Sequence, residues 1–177
     1  MLDRSMRYAD RFIDAVGYLT GVLLIAMILN VAYDVMMRYL FHDSKIAMQE
    51  MEWHLFAVIM LFGTGYALRH NAHVRVDFLY DRLSDAKKGY IDIFGTIFFL
   101  MPLALLIVYG SYDFVMDAYT THEISEDPGG LPYRWIIKAA IPLSFVFLLL
   151  CSVDFILHAV AAIRGSRRME PEEEEVM

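Results

Sequence analysis

Cysteine is nearly absent from this chain, catalytic motifs are missing, and long stretches carry no charge; each shortage excludes something. Its 177 residues include one cysteine, Cys151, so no internal disulfide can brace the fold. There is no glycine-rich phosphate loop, no catalytic triad and no basic patch for nucleic acid. Charge is missing over long stretches. Ala15 to Tyr33 carries none over nineteen residues, Ile93 to Tyr112 none over twenty and Ala139 to Val153 none over fifteen. Trp53 to Leu68 carries none when His54 is neutral. Regular polar–apolar alternation is also absent, which excludes barrel strands.

What is present is apolar residue in excess. Hydrophobic residues make up 58% of the chain, above the roughly 45–50% of a soluble domain. A helix of about 20 residues crosses a hydrocarbon core, and only helices or closed barrels satisfy every backbone group there. The expected class is all-α integral membrane, with four transmembrane helices at about 14–39, 48–70, 88–117 and 134–163. Residues 1–13 form an N-terminal segment and 165–177 an acidic tail. The second and fourth runs reach full length only if Glu52 and Asp154 lie near the edges of their spans or face protein or water. The first run is too long for the core of a cleaved signal peptide, and no small-residue cleavage site follows it.

The formal charge of −7 owes much to the tail, where Glu170, Glu172, Glu173, Glu174 and Glu175 lie within eight residues of the end. That tail is expected to be solvated. Eleven of the fifteen Lys and Arg residues fall in the two termini and the second loop. The positive-inside rule therefore places both termini in the cytoplasm, and the loops around His42 and Pro128 outside.

Leu2, Met6, Ala9 and Ile13 recur at helical spacing. The segment either lies on the inner membrane surface or simply extends the first helix; the spacing suits both. Phe78, Leu79 and Leu83 suggest a short interfacial helix, Ser84 an N-cap for the third helix, and Pro102 a kink in it.

Several residues are of types that carry chemistry. Asp34 and Arg38 share a helix face and can pair. Asn30 can bond across helices, and Gly17, Gly21, Gly63 and Gly65 permit close helix packing. Glu50, Glu52 and His54 have poor spacing for a metal site, since only Glu50 and His54 share a face; no metal and no cofactor is expected. A haem b redox anchor needs paired histidines at equal depth, and only His70 with His158 comes near. A self-contained proton-coupled exporter needs a carboxylate in mid-membrane, which the centres of the four runs lack. These remain the two alternatives to a small membrane subunit without chemistry of its own.

Four motifs occur in order. Arg38-Tyr39-Leu40-Phe41 ends the first helix, and Glu50, Glu52 and Trp53 open the second. His73-Val74-Arg75-Val76-Asp77 follows the second, and Gly130-Leu131-Pro132-Tyr133-Arg134-Trp135 leads into the last. Together, over about Asp14 to Arg164, they resemble the small membrane subunit of tripartite ATP-independent periplasmic (TRAP) transporters. The commoner family order puts Trp before the acid, whereas here Glu52 precedes Trp53. The resemblance implies a scaffold in the bacterial inner membrane, not an enzyme. Its partners would be a large transport subunit holding the substrate and Na⁺ sites, a periplasmic binding protein that delivers an organic acid or related solute, and phospholipid. Glu50, Glu52, Trp53, Arg134 and Trp135 would then form an outer docking rim. Arg69, His73, Arg75 and Asp77 would form an inner anchor, with Asp77 paired to Arg69 or Arg75.

Overall fold

The computed structural model describes residues 2–70 and 84–169, all of them helical or in short connections. The expected interfacial helix at Phe78, Leu79 and Leu83, the residues His73, Arg75 and Asp77, and the glutamates of the tail lie outside the described residues.

The first helix, α1 (Leu2–Leu40), is thirty-nine residues long, about 58 Å at the α-helical rise. Of the two arrangements open for its N-terminus, it takes the continuous one. A short turn leads to α2 (Ile46–Arg69). The third span is built in three pieces: α3 (Asp85–Gly95), a π-helical turn (Thr96–Leu100) and α4 (Met101–Thr120). Pro102 stands in the first turn of α4. It has no N–H for the carbonyl one turn back, and the wider turn lies directly upstream of that missing bond. Ser84 occupies the N-cap of α3 in an extended conformation, but its hydroxyl makes no capping bond. A loop then leads to α5 (Trp135–Met169), with Pro142 inside it.

Among the described residues, four helices are long and apolar enough to cross a membrane: Ala9–Leu40, Ile46–Arg69, Lys87–Thr120 and Trp135–Ala161. The chain is thus a four-span membrane protein of the all-α class. An even number of crossings puts the start of α1 and the end of α5 on one side, here the termini side, and the α1–α2 and α4–α5 connections on the other, the loop side. The helices form a row, α1 on α2, α2 on α5, and α5 on the third span, with a lesser contact from α1 to α5. Burial follows that order. Only 11% of the apolar window is buried in each of the first three spans, against 44% in the fourth. So α5 is the central helix, and α1 and the third span are the edges.

The core lies toward the termini side. Ile13, Leu68, Ala104, Phe147, Leu148, Cys151 and Phe155 pack there from α1, α2, α4 and α5. Small residues let the helices close on it. A Cβ at Gly65 would stand 2.7 Å from the Phe147 ring, and one at Gly17 would enter the Tyr66 ring. Gly21 and Gly63 differ from the expectation, since a Cβ at either meets nothing within 4 Å. Both point away from neighbouring helices of this chain. On the loop side, Asn30 Nδ2 donates to the Met48 carbonyl at 2.9 Å, tying α1 to α2.

Gly65→Val is expected to destabilise the detergent-solubilised protein by about 1–3 kcal/mol, the usual range for overpacking. Gly21→Val should leave its thermal midpoint unchanged. Equal midpoints for the two variants in a fluorescence melt would contradict this packing.

Candidate functional site

Two polar clusters sit at opposite ends of the helices. On the termini side the last turn of α2 presents Arg69 to α1 and α5. Its Nε and a terminal nitrogen both donate to Asp10 Oδ1, at 3.0 and 2.5 Å. The same Nε lies 2.8 Å from Asp154 Oδ2. Asp154 is 2% exposed, yet neither of its oxygens has a properly directed hydrogen bond among the described residues. The two observations agree once direction is considered: the Nε–H is spent on Asp10, so Asp154 is compensated in charge but not by an aligned bond. His158, one turn on, bonds the Asp154 carbonyl through Nδ1 at 3.0 Å and brings Nε2 to 3.5 Å from Arg69. Beside this group His70 Nε2 meets Asp14 Oδ1 at 3.2 Å, and its ring packs on Tyr66 at 4.3 Å.

Asp10, Asp154 and His158 have ligand-type atoms within 4.8 Å of one another. A metal is not the best occupant of that space, because the Arg69 guanidinium is already seated against both carboxylates. What the arrangement does is charge compensation across three helices. A buried carboxylate left without its cation is strongly destabilising. Of the four residues expected at an inner anchor, Arg69 alone is described, and it is engaged inside the bundle. His70 and His158, the one conceivable haem pair, are committed to different partners.

On the loop side, Glu50 is buried in the first turns of α2. Its carboxylate accepts the Leu131 backbone N–H at 2.5 Å and the Ser125 hydroxyl. The loop folds around that group. Ser125 N bonds Leu131 O at 3.2 Å and Gly130 N bonds Asp127 O at 3.0 Å. Gly129 takes a positive φ of 86°. At Gly130 a Cβ would come within 2.7 Å of Glu50 Oε2 and strike Ser125, so only glycine allows the loop to reach the carboxylate.

The same loop positions the rest of the expected rim. Glu123 pairs with Lys138 and, at 3.6 Å, with Arg134. Arg134 stands 5.9 Å from the Trp53 ring centroid, within cation–π range. Trp53 packs on His54 at 3.8 Å, and Trp135 meets Tyr119 edge-on at 5.4 Å. Glu52 is half-buried. Asp34, 2% exposed, is paired with Arg38.

Sequence reasoning missed Asp10, Glu123, Ser125 and Lys138; for Asp154 it left two places open, a span edge or a face toward protein or water, and the structure turns it toward protein. The available signal for Asp154 is its position: an acid interrupting a long apolar helix, one turn before a histidine. Nothing local marks Asp10, which is one of several charged residues in the N-terminal stretch.

The chain matches the model of the family described as "Tripartite ATP-independent periplasmic transporters, DctQ component" over residues 27–162. That range includes Glu50, Arg69, Asp154 and His158 but not Asp10. It is 28% identical over 148 residues to the ectoine TRAP transporter small permease protein TeaB of Halomonas elongata, covering 84% of this chain and 72% of that protein. It is 24% identical over 154 residues to the sialic acid TRAP transporter permease protein SiaT of Haemophilus influenzae, covering 85% of this chain. The chain spans about a quarter of the length of that permease.

Two expected outcomes test these clusters. Arg69→Gln should destabilise the fold by about 3 kcal/mol, the scale for orphaning a buried charge. The double variant Arg69→Met/Asp154→Leu should recover most of it in the same melt. A double variant no better than the single one would show that the charge pairing is not what matters. Glu50→Ala should speed hydrogen exchange at the Leu131 amide by about tenfold or more, since a bond to a charged acceptor contributes roughly 1.5–3 kcal/mol. Unchanged exchange there would rule out the pin.

Proposed function

This chain belongs to the DctQ-component family of TRAP transporters, and on that premise we propose that it is the small scaffold subunit of a Na⁺-coupled uptake system that depends on a periplasmic binding protein. It pairs with a large transport subunit in the bacterial inner membrane. The observation that carries the reading is what its ionisable groups do. Arg69, Asp10, Asp154 and His158 hold three helices together, Asp34 holds Arg38, and Glu50 holds a loop. These charges fix positions within the fold. A subunit so built contributes shape and anchorage, and substrate and Na⁺ sites belong to its partner.

In this reading the termini side is cytoplasmic, as the loop charges suggest, and the loop side faces the periplasm. The rim of Glu52, Trp53, Arg134 and Trp135, with Glu50 setting the loop beneath it, is where the binding protein docks. Arg134 and Trp53 suit that role, since stacked aromatic and arginine side chains dominate many protein interfaces. His73, Arg75 and Asp77 on the second loop contact phospholipid headgroups, and Arg69 serves the bundle. The solute is an organic acid or related small molecule. The named relatives are assigned sialic acid and ectoine, both of which carry a carboxylate.

A tagged copy purified in mild detergent should bring down a multi-helix permease subunit. The pair in liposomes should take up solute only with an inward Na⁺ gradient and a periplasmic binding protein. Uptake by this chain alone would support the exporter reading instead, and a haem absorption band would support the redox anchor.

A further inference from the structure

An open groove of about 420 Å³ runs along the termini-side half of the third span. One wall is the third span itself, from Ile91 through the π-helical turn to Leu103, and the other is the last turn of α2 at Leu68. Phe155 of α5, the helix that separates α2 from the third span in the row, forms the floor. The lining is apolar or glycine except for Asp92 and Thr96. Phe99 on the third-span wall is 69% exposed.

The path of the chain says what lies across this groove. Leu68 is followed at once by Arg69, the last residue of α2, and Ile91 comes within two turns of Asp85, the first residue of α3. Residues 70–84 therefore leave from one wall and arrive at the other, with α5 between the two. The connection is longer than the roughly 2–8 residues usual between bundled helices, so it has chain to spare for the crossing. It contains Phe78, Leu79 and Leu83, and the first two are bracketed by Asp77 and Asp81. Those charges keep the segment out of the hydrocarbon, which leaves its apolar side chains to water unless protein covers them. The groove lies at the matching depth. Arg69 closes α2 beside it, and Asp92 directly precedes the uncharged run from Ile93 to Tyr112.

We propose that the connection between α2 and α3 covers this groove and seats Phe78 and Leu79 between Leu68 and the π-helical turn, over Phe155. His73, Arg75 and Asp77 stay at the headgroups. An acyl chain gains little by entering the groove from the bilayer, since both surroundings are apolar, whereas side chains held at the water margin gain burial. A second protein competes with a segment already tethered to both walls, for which seating is an intramolecular event. The seated segment ties the third span to α2, a link that α5 alone makes among the described residues.

The test uses the full chain in its membrane. A photo-crosslinking phenylalanine analogue replaces Phe99 and, separately, Val22, which is exposed on α1, and adducts are mapped by mass spectrometry. Position 99 should give a product of monomer size whose crosslink maps to residues 71–83, and position 22 should give none to that segment. With the analogue at position 99, Phe78→Ala/Leu79→Ala should lower the yield of that product about tenfold, the scale of re-exposing one large apolar side chain. The swap Phe78→Leu/Leu79→Phe, which keeps the apolar volume, should retain it. Any other main product at position 99, whether to lipid, a second copy, another protein or a different part of the chain, would overturn the assignment. So would an equal segment adduct from position 22, or a segment adduct that the double alanine variant leaves unchanged.

Discussion

A carboxylate inside an apolar helix can stay ionised only if a cation is brought to it, and Asp154 on the central helix imposes that demand on the rest of the bundle. Arg69 meets it from the end of α2, and Asp10 on α1 balances the second side of the guanidinium. One ionic group thus sets the spacing and register of three helices at their termini-side ends. The hydrophobic core lies directly beneath, where Ile13, Leu68, Phe147 and Cys151 converge. Gly17 and Gly65 permit that convergence, because a larger residue at either would collide with Tyr66 or Phe147.

The loop side solves a similar problem with different chemistry. Glu50 has no cation within hydrogen-bonding distance in its own helix turn. Its carboxylate is satisfied by a backbone N–H and a hydroxyl from the α4–α5 loop. A loop of this length would otherwise have many conformations to lose. Pinning it beneath Glu50 presents Arg134 over Trp53 in a fixed arrangement. The two clusters therefore use burial of charge for position, one to hold helices and one to hold a surface.

Much of the architecture is legible along the chain because lipid-compatible helices need long uncharged runs, and such runs are visible residue by residue. Asn30 is an example of a finer feature with a local signal: an amide within an apolar helix needs an acceptor, and the Met48 carbonyl supplies one. Pro102 signals a disturbance, but whether the helix bends or widens depends on neighbours, and here it widens into a π turn. Ser84 has the type of a cap residue without making the bond. The four glycines look alike in sequence, yet Gly17 and Gly65 meet neighbours while Gly21 and Gly63 do not. Which helix face turns inward is a property of the row.

The solvent, the number of crossings and the family resemblance can be read along the chain, because hydropathy and short-range motifs are local quantities. The same reading also placed Glu50, Trp53 and Arg134 toward the same end of their helices. It takes the packed helices to show that Arg69 serves Asp10 and Asp154 inside the bundle, that Glu50 grips a loop some eighty residues away, and that α5 is the central helix. Those pairings join residues far apart in the chain, and an ion pair is chosen by distance in space, about which the order of residues is silent.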